Sequence, residues 1–341
     1  MNTRAQVLYK VKQLMEQHFD EMARIVTTEH GKTLDEARGS VRRGIECIEV
    51  AAGAPSLMQG FALEDISSGI DCHVVRQPLG VAAAIAPFNF PAMVPMWFLP
   101  FAIVTGNTFV LKPSEQVPLS QRRMMEFLQK ADLPPGVVNL VNGGSEVVNA
   151  ICDHPGIRAV SFVGSTPVAK HVYQRGTHAG KRVQALGGAK NFVVVMPDAD
   201  LERSIGVISE SFYGCAGERC LAGSMLVPIG EAHAEARDRM VEAAKALKVG
   251  DGVQPGVTMG PVISARHREK RAGLHREGRL RGRHAARRRP PDARVRSAER
   301  LLRRPDRVRR RVAEDGDRPR GDLRAGGVDL PGQDARRRDR A

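Results

Sequence analysis

A cysteine set among small residues is the first candidate for chemistry in this chain. Cys220 lies in the segment 214–224, where Gly and Ala flank the thiol and let a substrate approach the sulfur. The thiolate of such a residue can attack an electrophilic carbon. The alternative is a small, buried, apolar side chain, which is what free cysteines commonly are. Three further motifs in the chain favour a nucleophile.

Two polar side chains come at the ends of apolar runs that predict buried strands. Asn89 follows the run at 81–85, inside the sequence Pro-Phe-Asn-Phe-Pro at 87–91. Lys112 ends the run at 108–112, where a buried ammonium needs an anion or a hydroxyl partner. Because strand ends form the ligand-binding edge of a parallel sheet, both side chains are candidates for a site. A turn residue that caps its own backbone, and a lysine that reaches solvent, stay open as alternatives.

A third strand end carries a Gly-Ser-Thr turn. Gly164, Ser165 and Thr166 follow an apolar run and precede a helical pattern. Free N–H groups and hydroxyls at a helix start can bind phosphate, although an ordinary turn with an N-cap residue gives the same sequence. The motif is not a G-x-G-x-x-G, so it is a weak signal alone.

The apolar pattern places these motifs in an alternating α/β chain. Helical spacing predicts helices over residues 7–30 and 33–52. Arg43 lies in the second of them, where an arginine is commonly solvated or salt-bridged. From residue 81 onward strands alternate with helices, which predicts a parallel, doubly wound sheet. A further helical stretch at 205–212 leads into the turn that bears the cysteine.

Composition argues against several classes of protein. The five cysteines are an odd number without C-x-x-C spacing, which argues against a disulfide framework and against a zinc site. No apolar stretch reaches the length that spans a bilayer, and the start lacks a signal core. We therefore predict a cytoplasmic protein that binds neither metal nor membrane.

The positive charge is confined to one end of the chain. The net charge is +14, and residues 271–341 supply +13 of it through 24 Arg against 11 Asp and Glu. This segment has no Lys, Ile, Met or aromatic residue, so it has little with which to build a core, and we predict that it is disordered. Its residue mix is that of GC-rich DNA translated out of frame, which predicts a frameshift near Lys270. A natural basic tail that binds RNA, DNA or an acidic surface is the alternative.

Four motifs in a fixed order resemble those of the aldehyde dehydrogenase superfamily, and the resemblance covers residues 1–270. They are Pro-Phe-Asn-Phe-Pro at 87–91, Leu-Lys-Pro-Ser-Glu at 111–115, Phe-Val-Gly-Ser-Thr at 162–166 and Gly-Glu-Arg-Cys at 217–220. A one-base shift of codons allowed for residues 315–326 also recovers Glu-Glu-Ile-Phe-Gly-Pro. That peptide is the nicotinamide-ribose motif of the family, which supports the frameshift.

The resemblance implies catalytic and cofactor-binding roles. Cys220 would attack an aldehyde carbonyl. The amide of Asn89 and the Cys220 N–H would stabilise the oxyanion, whose collapse delivers hydride to NAD and leaves a thioester. Lys112 and Glu115 would bind the adenosine ribose of NAD, and Ser165 its pyrophosphate. The implied cofactor-binding set is completed by Phe88, Ser114 and Gly164.

One departure from the family pattern points to the acyl acceptor. Hydrolytic members carry a glutamate just before Leu-Gly-Gly, and Ala185 stands there in this chain. Without that base water is a poor deacylating agent, and coenzyme A (CoA) becomes the acceptor. The chain looks like the CoA-acylating branch that converts methylmalonate or malonate semialdehyde into propionyl-CoA or acetyl-CoA and CO₂. These substrates carry a carboxylate, for which Arg43 resembles the family arginine and Arg219 is a second candidate.

The implied fold is an aldehyde dehydrogenase-like α/β architecture in three segments. Residues 1–188 would form an N-terminally incomplete, parallel Rossmann-type NAD-binding domain. Residues 189–270 would form a partial α/β catalytic domain with the nucleophile, and 271–341 the disordered basic tail. The arm through which this family forms homo-oligomers would be missing, and we expect the chain as written to be inactive or nearly so. Two alternatives stay open: a hydrolytic aldehyde dehydrogenase that uses another base such as Glu218, and an inactive fragment whose tail binds nucleic acid.

Overall fold

Three helices lead into the first sheet of the protein. The computed structural model describes residues 1–280, with side chains described through residue 274. The helices are α1 (Asn2–Gln17), α2 (Phe19–His30) and α3 (Leu34–Ala52). The single helix predicted over residues 7–30 is divided, because His18 leaves helical geometry with φ −108° and ψ 25°.

Helix α3 begins with a capping box. Thr33 Oγ1 accepts a hydrogen bond from the Glu36 N–H, and the Glu36 carboxylate accepts one from the Thr33 N–H. Each bond satisfies an N–H that the start of a helix leaves free. A short helix α4 (Ala54–Leu57) and an exposed antiparallel hairpin follow, the hairpin consisting of β1 (Phe61–Ser67) and β2 (Ile70–Val74).

A five-stranded parallel sheet carries the first half of the predicted site. Its strands are β3 (Val81–Ile85), β4 (Thr108–Lys112), β5 (Val138–Leu140), β6 (Ile157–Val163) and β7 (Arg182–Leu186). Their spatial order is β5-β4-β3-β6-β7, and all neighbours are parallel. The strand order reverses between β3 and β6, which confirms the predicted doubly wound sheet.

Helices cover both faces of this sheet. They are α5 (Leu99–Val104), α6 (Leu119–Lys130), α7 (Ser145–Asp153) and α8 (Thr166–His178), together with α1 to α3. On one face α1, α2 and α3 form a core with Phe109 and Leu111 of β4. On the other face Val172 of α8 packs with Phe162 of β6. Because both faces are covered, most of the strands are nearly continuous apolar runs.

A second parallel sheet, of two strands, carries the nucleophile side. Its strands are β8 (Asn191–Val195) and β9 (Gly223–Pro228), and its helices are α9 (Leu201–Tyr213) and α10 (Ala232–Lys245). The two helices cover one face and build a core with Leu226. On the other face Phe192, Val194 and Met196 are exposed.

The last described element is α11 (Ala265–Leu280). This helix continues through residues 271–280, the first part of the segment for which disorder is predicted. Residues 281–341, with the rest of the predicted basic tail and the segment 315–326, lie outside the described residues. No helix within residues 1–280 is long and apolar enough to cross a membrane. The domain boundary at residue 188 stays a prediction.

Candidate active site

The amide of Asn89 links the edges of the two sheets. Asn89 lies after β3, as predicted, and is buried. Its Nδ2 donates a hydrogen bond to the main-chain oxygen of Glu218 at 2.7 Å. This bond uses one of the two N–H groups of the amide, and the buried Oδ1 has no hydrogen-bond partner among the described residues. The amide therefore reaches the segment that ends in the predicted nucleophile.

Cys220 lies two residues after Glu218, on the connection from α9 to β9. The residue is half-buried, and its main-chain oxygen accepts a hydrogen bond from Asn191 Nδ2 at 3.1 Å. The structure thus joins Asn89 to the segment that ends in Cys220 and leaves Cys220 partly accessible.

The turn before the nucleophile has left-handed backbone geometry. Cys215 and Ala216 have φ of 53° and 51°, and Gly217 has φ of 72°. Positive φ is unfavourable for a residue with a Cβ, so contacts must hold this turn. The Cys215 N–H donates to Glu36 Oε1 at 2.5 Å, and Arg219 Nη2 donates to the same oxygen at 3.2 Å.

A buried acid lies within the nucleophile segment. The Glu218 side chain is 2% exposed and faces His30 Nε2 at 3.5 Å and His267 Nε2 at 3.4 Å. Burial raises the pKa of Glu218 to about 7. Burial also lowers the pKa of His30 to about 3, so that imidazole is neutral at physiological pH. Glu218 therefore titrates near neutrality between two histidines.

Lys32 brings a buried ammonium to the same region. The residue is 1% exposed. Its Nζ donates a hydrogen bond to the main-chain oxygen of Asn89 at 2.7 Å and lies 4.0 Å from the centroid of the Phe90 ring. Burial lowers the pKa of Lys32, although Cys215 and Glu36 favour its charged form. The ammonium fixes the main chain of the turn that carries the oxyanion candidate.

Cys215 is the second thiol of the segment, and it differs from Cys220 in accessibility. It is buried, and its Sγ lies 3.8 Å from both His30 Nε2 and the main-chain oxygen of Asn89. Burial raises the pKa of the Cys215 thiol, although the Lys32 ammonium opposes this effect. A buried thiol with a raised pKa is a poor nucleophile, so Cys220 is the thiol suited to reaction.

The end of β4 places Lys112 and Glu115 together. Lys112 is buried, and its Nζ donates to Glu115 Oε2 at 3.1 Å. Desolvation disfavours the Glu115 carboxylate, but hydrogen bonds from its own N–H and from Lys112 hold its pKa below the usual value. Ser114 Oγ accepts a long hydrogen bond from the Gln116 N–H at 3.4 Å. Lys112 thus has an anionic partner that is largely open to solvent and to hydroxyl ligands.

The end of β6 carries Gly164 and Ser165. Ser165 is the N-cap residue of α8 and is exposed, and its side chain makes no capping hydrogen bond. A Cβ at Gly164 would lie 2.5 Å from the ring of Phe162, so packing alone requires glycine there. Phe88, the remaining predicted cofactor contact, has its ring 6.1 Å from that of His30.

Arg43 lies on the exposed side of a helix, and Ala185 lies within a strand. The Arg43 side chain is 73% exposed, and its guanidinium pairs with Glu46 on the same helix at 3.2 Å. Among the described residues Arg43 makes no hydrogen bond or ion pair with the nucleophile segment, so its role toward a substrate stays a prediction. Ala185 lies on β7 opposite Phe162 of β6 and packs against the adjoining core, where an alanine cannot supply a base.

Four residues of this site were not predicted from the sequence: His30, Lys32, Glu36 and His267. The spacing of Thr33 and Glu36 is that of a capping box, so the contact of Glu36 with its own helix could have been predicted. Its contact with Cys215, 179 residues further along the chain, has no local signal.

Comparison with known sequences places the chain among one group of enzymes. A profile of the aldehyde dehydrogenase family matches residues 1–288. Malonate-semialdehyde dehydrogenase 2 of Geobacillus kaustophilus is 51% identical over 267 residues, which are 78% of this chain and 55% of that protein. Malonate-semialdehyde dehydrogenase of Halalkalibacterium halodurans is 50% identical with the same coverage. The chain spans about half the length of these curated relatives.

Solved structures agree with the observed fold. Methylmalonate-semialdehyde dehydrogenase from Oceanimonas doudoroffii matches with a TM-score of 0.80 at 46% identity, over 82% of this chain and 57% of that one. A Sinorhizobium meliloti 1021 protein described as a methylmalonate-semialdehyde dehydrogenase, solved with NAD, matches with a TM-score of 0.80 at 40% identity, over 86% and 61%. These likenesses confirm the α/β fold that the motifs implied.

Proposed function

Because the chain belongs to the aldehyde dehydrogenase family, we propose that its site oxidises malonate or methylmalonate semialdehyde with NAD and passes the acyl group to CoA. The products are acetyl-CoA or propionyl-CoA and CO₂. The observation that carries this proposal is the 2.7 Å hydrogen bond from Asn89 Nδ2 to the Glu218 main chain, which brings an amide donor to the segment of an accessible thiol. The names of the relatives support the substrate class.

The nucleophile in this proposal is Cys220. Its thiolate attacks the aldehyde carbon, and a C–S bond forms as the carbonyl π pair moves to oxygen. The resulting oxyanion accepts hydrogen bonds from the Cys220 N–H and from the Asn89 N–H that Glu218 leaves free. When the oxyanion collapses, the aldehyde hydrogen leaves as hydride and a thioester remains on Cys220.

The residues at the ends of β4 and β6 fit NAD. Lys112 uses one ammonium proton on Glu115 and retains two, while the carboxylate of Glu115 is mostly solvent-exposed, so the pair can bind ribose hydroxyls. The uncapped hydroxyl of Ser165 and the start of α8 suit a pyrophosphate. Phe88, Ser114 and Gly164 complete the set as contacts of the bound nucleotide. When bound, NAD supplies the hydride acceptor.

The acyl acceptor in this proposal is CoA. Ala185 has no group that could activate water, whereas a thiolate attacks a thioester without such help. Before the transfer the carboxylate of the acyl group leaves as CO₂: its C–C bond breaks, the electron pair forms a thioester enolate, and the enolate carbon takes a proton from solvent. The CoA sulfur then displaces Cys220, which leaves as thiolate and regenerates the nucleophile. Arg219, one residue from Cys220, is the nearer candidate for the substrate carboxylate, and Arg43 is the second.

The test is NADH formation by the purified 341-residue chain with malonate semialdehyde, NAD and CoA. Since we expect low activity from the chain as written, the comparison is between variants and not between absolute rates. Cys220→Ala is expected to abolish NADH formation, and omission of CoA to reduce it at least tenfold. Wild-type signal no higher than that of Cys220→Ala would contradict the proposed activity.

Carboxylate recognition is tested without turnover. The ratio of Cys220 alkylation rates with iodoacetate and iodoacetamide reports whether a cation favours an anionic reagent at the thiol. Arg219→Gln is expected to lower this ratio about threefold, the size of a screened charge interaction. Arg239→Gln, which removes an exposed arginine of α10, is the matched control and should leave the ratio unchanged. An unchanged ratio in Arg219→Gln would assign the carboxylate to another residue.

Hydrolysis is the second candidate function, and one observation favours it. Glu218 titrates at about 7 and lies two residues from Cys220, as a general base should. Its carboxylate faces His30 and His267 in the interior, which favours the CoA route. Acid release that persists without CoA and disappears in Glu218→Gln would establish the hydrolytic route instead.

A further inference from the structure

The turn between α2 and α3 contacts both halves of the site. Lys32 binds the main chain of Asn89, and Glu36 binds Cys215 and Arg219. We propose that Glu36 and Lys32 are positioning residues that hold the nucleophile segment in register with the oxyanion amide. This inference rests on the proposed function, since alignment matters only if Cys220 and Asn89 act on one carbonyl.

Glu36 has an anchored carboxylate. Its Oε2 accepts the Thr33 N–H at 2.9 Å, and its backbone N–H donates to Thr33 Oγ1 at 3.3 Å. The other oxygen, Oε1, is then directed at the Cys215 N–H and at Arg219 Nη2. One side chain therefore ties the start of a helix to the segment that ends in the nucleophile.

The segment that Glu36 holds would otherwise be unfavourable. Cys215 and Ala216 both occupy the left-handed region although each carries a Cβ. The charge-assisted hydrogen bond from the Cys215 N–H to Glu36 is stronger than a neutral one. Arg219 closes the turn from the other side, because its guanidinium carbon lies 2.6 Å from where a Cβ at Gly214 would be.

Lys32 holds the other half of the site, the turn that carries Asn89. Its ammonium is buried, donates to the Asn89 main chain and lies over the Phe90 ring. A buried ammonium without partners is unfavourable, so these contacts fix both the lysine and the turn that carries Asn89. Lys32 and Glu36 are four residues apart and separated by the start of α3. Their spacing is therefore set by backbone geometry, and with it the relative position of the two turns.

Amide hydrogen exchange tests the holding contact directly. Glu36→Ala is expected to accelerate exchange at the Cys215 amide at least tenfold, read from peptides that span residues 214–218. Glu36→Gln, which keeps an acceptor, should show an intermediate acceleration. Thr33→Ala removes the capping hydroxyl and leaves the Glu36 carboxylate in place, so it controls for a weakened helix start. Unchanged exchange in Glu36→Ala would overturn the proposal.

Kinetic coupling tests the alignment. Glu36→Ala is expected to lower kcat about tenfold to thirtyfold with little change in KM for the semialdehyde. In an Asn89→Ala background the same substitution should lower kcat less than threefold, because no oxyanion amide is left to misalign. A purely structural role would give equal losses in both backgrounds and would contradict the inference. Glu49→Gln, on the exposed side of α3, is the charge control.

The two proposals fail in distinguishable ways. If the wild-type chain forms no NADH, the proposed activity fails, and exchange at residues 214–218 still decides whether Glu36 holds the turn. If NADH forms while Glu36→Ala changes neither exchange nor kcat, the positioning role fails and the function stands. Lys32→Arg keeps the buried cation and is expected to retain more than a tenth of kcat.

Discussion

The two sheets of this protein have similar strands but different coverage. In β4 Phe109 and Leu111, which share one face, are 1% and 0% exposed, and Val110 on the opposite face packs against a second core. In β8 Phe192 and Val194 are 64% and 57% exposed, although the strand is as apolar as β4. An apolar run therefore indicates a strand whose two faces could both be buried. Whether both are buried depends on the helices that pack around the strand.

The difference reaches the active site. Asn89 follows β3, which has a core on each face, whereas Cys220 precedes β9 of the half-covered sheet. The five-stranded sheet, which carries the proposed cofactor residues, is therefore held by two cores. The two-stranded sheet, which carries the proposed nucleophile, is held by one core and by the polar contacts of Glu36, Lys32 and Asn89. Substitutions that remove packing should therefore lower the stability of the five-stranded sheet most. Substitutions of polar groups should mainly affect the two-stranded sheet.

The largest effect is expected where packing is complete. Phe109→Ala removes a fully buried ring and should lower the free energy of unfolding by about 3 to 5 kcal/mol. Phe192→Ala removes an exposed ring and should change it by no more than about 0.5 kcal/mol. Urea unfolding followed by circular dichroism measures both. Equal losses would mean that the outer face of β8 is covered in solution, and the comparison between the sheets would fail.

A smaller effect, dependent on pH, is expected at Glu218. Its pKa is raised to about 7 from the usual 4.5, so the folded state binds the extra proton and its stabilising contribution is lost as pH rises through 7. Glu218→Gln cannot lose a proton. The variant should be more stable than wild type at pH 8.5, by up to about 3 kcal/mol, and should lose this advantage by pH 5.

Urea midpoints at the two pH values measure this difference. The His30 contribution has the opposite sign, since its lowered pKa makes stability fall as pH decreases below 6.5. Both proteins contain His30, so that term largely cancels in their comparison. Glu210→Gln, on the exposed surface of α9, is the control. A Glu218→Gln advantage that is the same at pH 5 and 8.5 would refute a titrating Glu218.

The smallest effects are expected at two glycines, with opposite signs. Gly164→Ala would place a Cβ 2.5 Å from the Phe162 ring in the covered sheet, which should destabilise the protein by about 1 to 3 kcal/mol. Gly206→Ala on α9 meets no atom within 4 Å, and alanine in a helix should stabilise it by about 0.5 to 1 kcal/mol. Thermal unfolding midpoints distinguish the two signs, and a stabilising Gly164→Ala would contradict the packing at β6.

Local patterns could predict much of the fold and which residues are candidates for the reactive groups. Apolar runs indicated the strands that carry Asn89 and Lys112, and alternation with helices indicated the doubly wound order. The break at His18 was missed because the apolar spacing on either side of it is continuous. The burial of Lys32 and the reach of Glu36 were missed because they depend on chain segments far apart in sequence.

The bond from Asn89 to Glu218 has a consequence for how the protein is made. It joins residues 129 positions apart, whereas every strand of the five-stranded sheet lies within residues 81–186. During synthesis from the N-terminus, that sheet can pair before the nucleophile segment leaves the ribosome. Contacts of long sequence separation also form late for entropic reasons. A nascent chain would therefore acquire its proposed nucleotide-binding edge first, and the segment of Cys220 would meet the amide of Asn89 only at the last stage of folding.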